Sequence, residues 1–254
     1  VFVPHVKLPF RISINGLPWT KTLSLLKKIL LVLLVSSSTL EADTLKIKNN
    51  FVNPFELYGR DIIFDVYREA DKVGSHIVRF EGELDNLTVI SEFNLSIDIL
   101  FINAYKFRYR SKANWQKGLL NKLSVEVNDD GDKFSFDANK RLDKLLISNM
   151  KNSFEAFSPV YPTNHWNAGV LNQKQVLNTL TGELNQVEII KKGNELIDAT
   201  QGKIKAVKYV YTGDLQTEIW YDKKNRWVGM QFIGSDGSVI KYVCQKCLGT
   251  STKK

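Results

Sequence analysis

The sequence is poor in the residues that metal sites and nucleophilic sites require. Its 254 residues include only two cysteines and three histidines. One histidine, His5, lies within residues 1–20, which we interpret below as an upstream extension. The other two, His76 and His165, are too few for a multi-histidine metal site. No second cysteine pair accompanies Cys244 and Cys247 to complete a zinc site. A Gly-x-Ser-x-Gly nucleophile elbow and a glycine-rich phosphate loop are also missing. We therefore expect neither a metal nor a cofactor, and a non-enzymatic protein is favoured over an enzyme.

The apolar run Ile29–Val35 is too short to cross a hydrocarbon core of ~30 Å, which needs ~20 apolar residues. Cations precede this run and small residues follow it, ending at Ala42. This three-part pattern is typical of a secretory signal peptide, which we place at residues 21–42. Residues 1–20 fit no export pattern, and we interpret them as a non-native upstream extension. We expect a periplasmic or secreted protein.

The net charge gives little support for a nucleic-acid partner. The whole chain carries +8, but residues 1–42 contain five basic groups and one acidic group. The remaining chain has 30 basic groups (35 − 5) and 26 acidic groups (27 − 1), a net charge of +4. Nucleic-acid-binding proteins concentrate more positive charge on one face. We expect no nucleic-acid partner.

From Asp61 onward, apolar and polar residues alternate with a period of two, and turn residues interrupt the alternation. This pattern predicts an all-β protein of about ten antiparallel strands, forming a strongly curved sheet or barrel. Asp129–Asp132 predicts a hairpin turn, because its glycine accepts a positive φ, and Lys192–Asn194 predicts another turn. One short helix is expected near 164–176, with Asn164 as its N-cap. The domain boundaries that we predict are a lead-in at 43–60, a single β domain at 61–248 and a polar tail at 249–254.

Charges on the non-core face of many strands argue against an outer-membrane barrel, whose strands carry an outward apolar band. We expect the mature protein not to span a membrane.

Several segments together resemble a family of exported bacterial proteins, domain-of-unknown-function family 6134. The matching segments include Phe64–Tyr67, Tyr105–Tyr109, Pro162–Asn167, Leu177–Glu183 and Ile219–Asp222. The resemblance covers roughly Asp61 to Val243. It implies an exported, mostly antiparallel β-protein of bacterial origin with no established activity, and therefore no catalytic residues to carry over.

Four cations occupy alternate positions of one predicted strand: Lys106, Arg108, Arg110 and Lys112. They share one face of the strand at intervals of ~6.6 to 7 Å, whereas Tyr105, Phe107 and Tyr109 share the other face. The cations can bind phosphate or carboxylate headgroups. The alternative is that Glu92 and Asp98 on the neighbouring strand pair with them.

The segment Asn164–Asn167 follows two prolines and brings amides, an imidazole and an indole to the mouth of a predicted pocket. As an alternative, a capping Asn lies beside a Trp that plugs one end of the sheet. His165 could act as a general base in a hydrolase, but only if a carboxylate lies nearby in an open cleft. The full set of candidate ligand-binding residues is Lys106, Arg108, Tyr109, Arg110, Trp115, His165, Trp166 and Asn167.

Cys244 and Cys247 form a possible disulfide in an oxidising compartment, and we interpret the pair as a local structural feature.

Three hypotheses follow for the function. The first is an envelope protein that binds an apolar or amphipathic ligand, such as a lipid, in its curved sheet. The second is a structural or protein-interaction module with a filled core. The third and least favoured is a hydrolase that uses His165.

Overall fold

The structure is a computed structural model that describes residues 52–99 and 102–249. The expected upstream extension and signal peptide lie outside the described residues, as do residues 43–51 of the lead-in and 250–254 of the tail. No helix in the described ranges is long and apolar enough to cross a bilayer.

The described residues form fourteen β-strands that belong to one sheet. The strands are β1 (Asp61–Arg68), β2 (Asp71–Glu83), β3 (Asn86–Ile99), β4 (Ile102–Gln116), β5 (Leu119–Asp129), β6 (Asp132–Arg141), β7 (Lys144–Asn149), β8 (Ser153–Phe157), β9 (Gln175–Leu177), β10 (Leu184–Ala199), β11 (Gly202–Gly213), β12 (Thr217–Asp222), β13 (Trp227–Ile233) and β14 (Val239–Lys246). A short helix, α1 (Pro54–Tyr58), precedes them, and a 3-10 helix (Ala168–Asn172) precedes β9.

The strand order across the sheet is β8-β7-β6-β5-β4-β3-β2-β1-β14-β13-β12-β11-β10-β9, and neighbours in this order are antiparallel. Two meanders, β1–β8 and β9–β14, are thus joined where β1 pairs with β14. The prediction of an all-β, antiparallel protein is confirmed, but the predicted strand count was too low. Strand β8 lies in a segment that breaks the alternation, and β9 has only three residues.

The alternation of β4 sorts its side chains onto two faces of the sheet. One face carries Tyr105, Phe107 and Tyr109, which are all buried, and we call it the inner face. The outer face carries the exposed cations Lys106, Arg108, Arg110 and Lys112. Aromatic rings fill much of the inner face, and each fully buried ring contributes roughly 1.5–3 kcal/mol to folding.

The turn chemistry of the first meander follows the sequence. The loop between β5 and β6 is Asp130–Gly131, with φ of 50° and 104°, as its sequence predicts. At Gly74 on β2, a Cβ would lie 2.1 Å from the Asn94 carbonyl oxygen, so only glycine permits this approach of β2 to β3. A register shift between Val66 and Tyr67 lies beside this contact, and such bulges increase the local twist.

The second meander departs from the predicted turns. The segment Lys192–Asn194 is a register shift inside β10 and not a turn. Beyond it, β10 continues to Ala199, which lies in a parallel bridge with Cys244 of β14. The Trp220 indole N–H donates to Glu195 at 2.9 Å, so this half of β10 covers the outer face of β12. Both faces of the sheet are covered there, and simple alternation is lost.

The predicted helix near 164–176 is a single 3-10 turn over Ala168–Asn172. Its cap is Asn167, whose side-chain oxygen accepts from the Gly169 N–H at 2.9 Å, and not Asn164 as predicted. Helix α1 was not predicted. Asn53 caps it by accepting from two backbone N–H groups, and Pro54 lies in its first turn.

Candidate functional site

The clearest recess beside the predicted cations opens on the outer face, across β2, β3 and β4. It is a groove of about 320 Å³, and its polar lining includes Ser75, Asn94, Lys106 and Arg108. The pairing of the three strands brings these residues together, because Arg108 of β4 lies opposite Asn94 of β3, and Asn94 lies opposite Ser75 of β2. We call this recess the outer groove.

Arg108 and Lys106 lack carboxylate partners within the ranges that the structure describes. Arg108 lies between Asn94 on β3 and Asn128 on β5, and neither of these side chains carries a charge. The Asp130 carboxylate accepts from the backbone N–H of Lys106 at 3.3 Å, but makes no ion pair with its ammonium group. Both cations therefore keep their charge available to a ligand.

Arg110 is placed differently, although it follows Arg108 by one step of the alternation. Its Nε lies 3.5 Å from Oε1 of Glu92, and Arg79 also forms an ion pair with that carboxylate. Glu126 lies opposite Arg110 on the other neighbouring strand. The alternative that Glu92 pairs with the cations thus applies to Arg110 and not to Arg108.

His165 and Trp166 lie on the inner side, in a segment that two tyrosines hold in place. Tyr221 donates its hydroxyl to the His165 carbonyl at 2.8 Å. Tyr58 donates to the Trp166 carbonyl at 2.9 Å and accepts from the Trp227 backbone N–H at 2.8 Å. These bonds join α1, the segment at 165–166 and β12–β13.

Trp166 is 2 % exposed and packs edge-on against Phe80 and Trp115. Trp115 is equally buried, and its ring also contacts that of Tyr161. The geometry of both tryptophans agrees with the alternative in which a Trp plugs one end of the sheet. Neither ring presents a face to solvent.

His165 does not have the surroundings that a general base requires. It is 3 % exposed, and its ring packs against Tyr211 and Trp227. Its Nδ1 has no hydrogen-bond partner among the described residues. Burial, with a smaller contribution from the nearby His76, lowers the pKa of His165 to about 3. No carboxylate is hydrogen-bonded to His165 within the described chain, so the hydrolase hypothesis lacks the partner that it needed.

A second buried histidine was not singled out by the sequence. His76 on β2 shares a hydrogen bond of 2.6 Å with Ser91 on β3, and its ring contacts those of Trp227 and Tyr242. Burial lowers the pKa of His76 to about 3. Its inward position in the alternation of β2 was the available signal, since a lone inward histidine indicates a neutral core residue.

Tyr109 also belongs to the inner face. Its ring is buried, and burial raises the pKa of its hydroxyl. It lies across the sheet from the cations that flank it in sequence. The eight candidate residues therefore divide into an outer group, Lys106, Arg108 and Arg110, and an inner group, Tyr109, Trp115, His165, Trp166 and Asn167.

A smaller hollow of about 190 Å³ lies where β10 covers β12–β14. Its charged groups already have protein partners. Glu195 accepts from Trp220, and Asp198 forms ion pairs with Lys241 at 3.3 Å and Lys203 at 3.6 Å. This hollow is a weaker candidate than the outer groove for binding a charged ligand.

Cys244 and Cys247 are joined by a disulfide bond, with 5.9 Å between their Cα atoms. Both are buried at the end of β14. The Cys244 carbonyl accepts from the Thr200 N–H at 2.9 Å, so the pair lies where β10 meets β14. This location agrees with a structural role for the pair.

Comparisons with known proteins give a family and a fold. The sequence profile of the family described as Domain of unknown function (DUF6134) matches residues 64–245. A similar solved structure is the crystal structure of a beta-barrel-like protein of domain of unknown function DUF1849 from Brucella abortus. It is 12% identical, the match covers 77% of this chain and 99% of that chain, and the TM-score is 0.54. No curated protein matches. The solved structure supports a barrel-like fold and nothing further.

Proposed function

This chain belongs to the DUF6134 family, and we propose that it is an exported, non-enzymatic protein that binds an anionic amphipathic ligand in the outer groove. The observation that carries this proposal is the pair Lys106 and Arg108, exposed beside the groove and without carboxylate partners among the described residues. Export rests on the signal-peptide pattern at residues 21–42.

The headgroup is the part of the ligand that the outer groove defines best. The planar guanidinium of Arg108 can donate two parallel hydrogen bonds to a phosphate or carboxylate, and Lys106 adds a point charge one step along the strand. The Asn94 amide and the Ser75 hydroxyl supply further donors in the lining. These groups favour a phosphate or carboxylate headgroup.

The groove also has an apolar part. Val73 is half-buried in the lining, and Leu95 and Phe107 border the groove but, as inner-face residues, expose only 9% and 4% of their surface. A volume of about 320 Å³ lies at the lower end of ligand pockets, which span roughly 300–1,000 Å³. We infer that the groove takes the headgroup and the first part of one chain. The inner face is less suited to a chain, because aromatic rings pack against one another there.

Native mass spectrometry tests this proposal. The full chain is expressed in a bacterial host, and the protein is purified from the periplasm without detergent. We expect a co-purifying mass that dissociates on denaturation, or uptake of dodecyl phosphate added below its critical micelle concentration. We expect Arg108→Glu to abolish uptake without unfolding the protein, and Arg110→Ala to keep most of it, because Arg110 already pairs with Glu92. Absence from the periplasm contradicts the export part of the proposal separately.

A second candidate is a protein-interaction module with a filled core. The packing of His76, Phe93, Phe107 and Tyr242 on the inner face favours it. If the purified protein is bare and takes up no dodecyl phosphate, ligand binding in the outer groove is wrong. An interaction module is then the better description, and a pull-down from the envelope follows.

A further inference from the structure

A second exposed surface lies at the hairpin between β6 and β7, away from the outer groove. Leu142 in its two-residue loop is 92% exposed, and Phe157 at the end of β8 is 72% exposed. Phe157 lies opposite Lys144, and the Ser158 N–H donates to the Asp143 carbonyl at 2.9 Å. These contacts hold the end of β8 beside the loop. We call Arg141, Leu142, Lys144 and Phe157 the apolar tip.

Leu142 is unusual when compared with the same position in other hairpins. Three other two-residue loops also begin with a residue of positive φ, namely Glu69 (53°), Lys117 (48°) and Asp130 (50°). All three residues are polar, whereas Leu142 adopts a φ of 57° and is apolar. A left-handed backbone is unfavourable for leucine, and exposure of its side chain to water is unfavourable as well. Local folding therefore does not explain this residue, and such outliers point to a function.

Cations border the exposed apolar side chains. Arg141 precedes Leu142 and has no ion-pair partner in the ranges described here. The Lys144 ammonium lies 5.2 Å from the centre of the Phe157 ring and pairs with Glu155 at 2.7 Å. Asp143 is the acidic residue of the loop. A leucine, an aromatic ring and an adjacent cation without an ionic partner, Arg141, are the groups that favour the interface between water and an anionic bilayer.

We propose that the apolar tip inserts into the headgroup region of an anionic lipid bilayer. Leu142 and Phe157 enter the boundary of the acyl chains and Arg141 remains at the level of the lipid phosphates, while Lys144 stays paired with Glu155 beside the Phe157 ring. Two apolar side chains provide weak and reversible attachment. The proposal does not depend on the outer groove, because the tip belongs to β6–β8 and the groove to β2–β4.

Co-sedimentation with vesicles tests the proposal on the protein purified from the periplasm. The probes are vesicles of phosphatidylcholine, with and without a third of phosphatidylglycerol. We expect binding to the anionic vesicles that Leu142→Asn reduces at least fivefold. The same substitution should raise Tm, because Asn tolerates a positive φ better than Leu. A merely structural role for Leu142 would not make stability and binding change in opposite directions.

Met150→Asn is the matched control. Met150 is as exposed as Leu142, at 97%, and has no positive φ. It lies in the turn after β7, at the other end of that strand from the apolar tip, so its substitution should leave vesicle binding unchanged. Phe157→Ser is a second test of the tip and should reduce binding several-fold. Equal binding by Leu142→Asn and the unmodified protein would overturn the proposal. It would also be overturned if Leu142→Asn abolished a concentration-dependent dimer while vesicles bound neither protein, since the partner would then be a second copy.

Discussion

The two faces of β4 show how one strand can separate charge from packing. On the outer face, Lys106 and Arg108 remain exposed beside the outer groove and lack carboxylate partners in the described structure. On the inner face, the neighbouring positions hold the buried rings of Phe107 and Tyr109, and this side of the sheet also holds the buried histidines His76 and His165, whose pKa values burial lowers. The comparison indicates that packing on the inner face stabilises the fold. We propose that the ligand binds on the outer face.

The largest stability effect is expected from Trp166→Ala on the inner side. The substitution removes ring contacts with Phe80 and Trp115 and leaves a cavity. Loss of a buried aromatic ring of this kind costs about 3–5 kcal/mol. Urea unfolding followed by circular dichroism measures the change. If the free energy of unfolding fell by less than about 1 kcal/mol, the inner face would not be the main source of stability.

Acid is expected to destabilise the protein through the inner face. His76 and His165 have a pKa of about 3 in the folded protein, below the ordinary value of 6.5, because burial disfavours the charged form. The unfolded chain therefore binds more protons below pH 6.5. Stability is complete above that pH and declines as the pH falls toward 3, by about 1.4 kcal/mol per pH unit for each histidine.

Urea unfolding at pH 7 and pH 5 measures this dependence in a range where most carboxylates remain ionised. We expect a loss of roughly 2–4 kcal/mol between the two pH values. His76→Gln should remove about half of the slope, whatever it does to stability at pH 7. A flat profile would mean that the histidines are hydrated in the folded protein.

Gly74→Ala tests the closest backbone approach under the outer groove. The new Cβ would lie 2.1 Å from the Asn94 carbonyl oxygen, so β2 and β3 would have to separate. We expect a loss of about 1–3 kcal/mol in unfolding free energy, which is typical of overpacking. Gly193→Ala is the control, because no atom lies within 4 Å of its Cβ position. Equal effects of the two substitutions would contradict the close approach.

The smallest stability effects are expected on the outer face. Arg110→Ala should lose only about 0.2–1 kcal/mol, because its pair with Glu92 is exposed. Arg108→Ala should lose less than that, but it should weaken dodecyl phosphate binding about tenfold or more, since a charge-assisted hydrogen bond is removed. Thermal unfolding and ligand titration of both variants give the comparison. A reversed ranking in the titration would assign the binding role to Arg110.

Strands β1–β6 of the first meander could be predicted from the sequence because buried and more exposed residues alternate along them. The alternation of β4 and the Asp130–Gly131 loop follow from local chemistry alone. The second meander could not be predicted as well. Its β10 passes through Lys192–Asn194 and covers β12, so residues on both faces are buried and the period of two disappears.

The candidate site was predicted only in part. The sequence identified Arg108 and Lys106 as a pair on one face, and this face is exposed as expected. It could not show which cation has an ionic partner, because that depends on the register that places Glu92 opposite Arg110 and Asn94 opposite Arg108. The sequence also grouped these cations with Trp166, but the Trp166 ring lies on the inner side. Its position is set by contacts with segments far apart in sequence, which the alternation of one strand does not reveal.

The most direct test of the central claim is a nuclear magnetic resonance titration with dodecyl phosphate that observes the arginine Nε–H and tryptophan indole N–H signals. If the ligand binds in the outer groove, the Arg108 signal will shift the most and the Arg110 signal less. The indole signals of Trp115 and Trp166, buried on the inner side, will remain in place. Shifts of these indole signals without a shift of Arg108 would contradict the account, because the ligand would then enter the inner face.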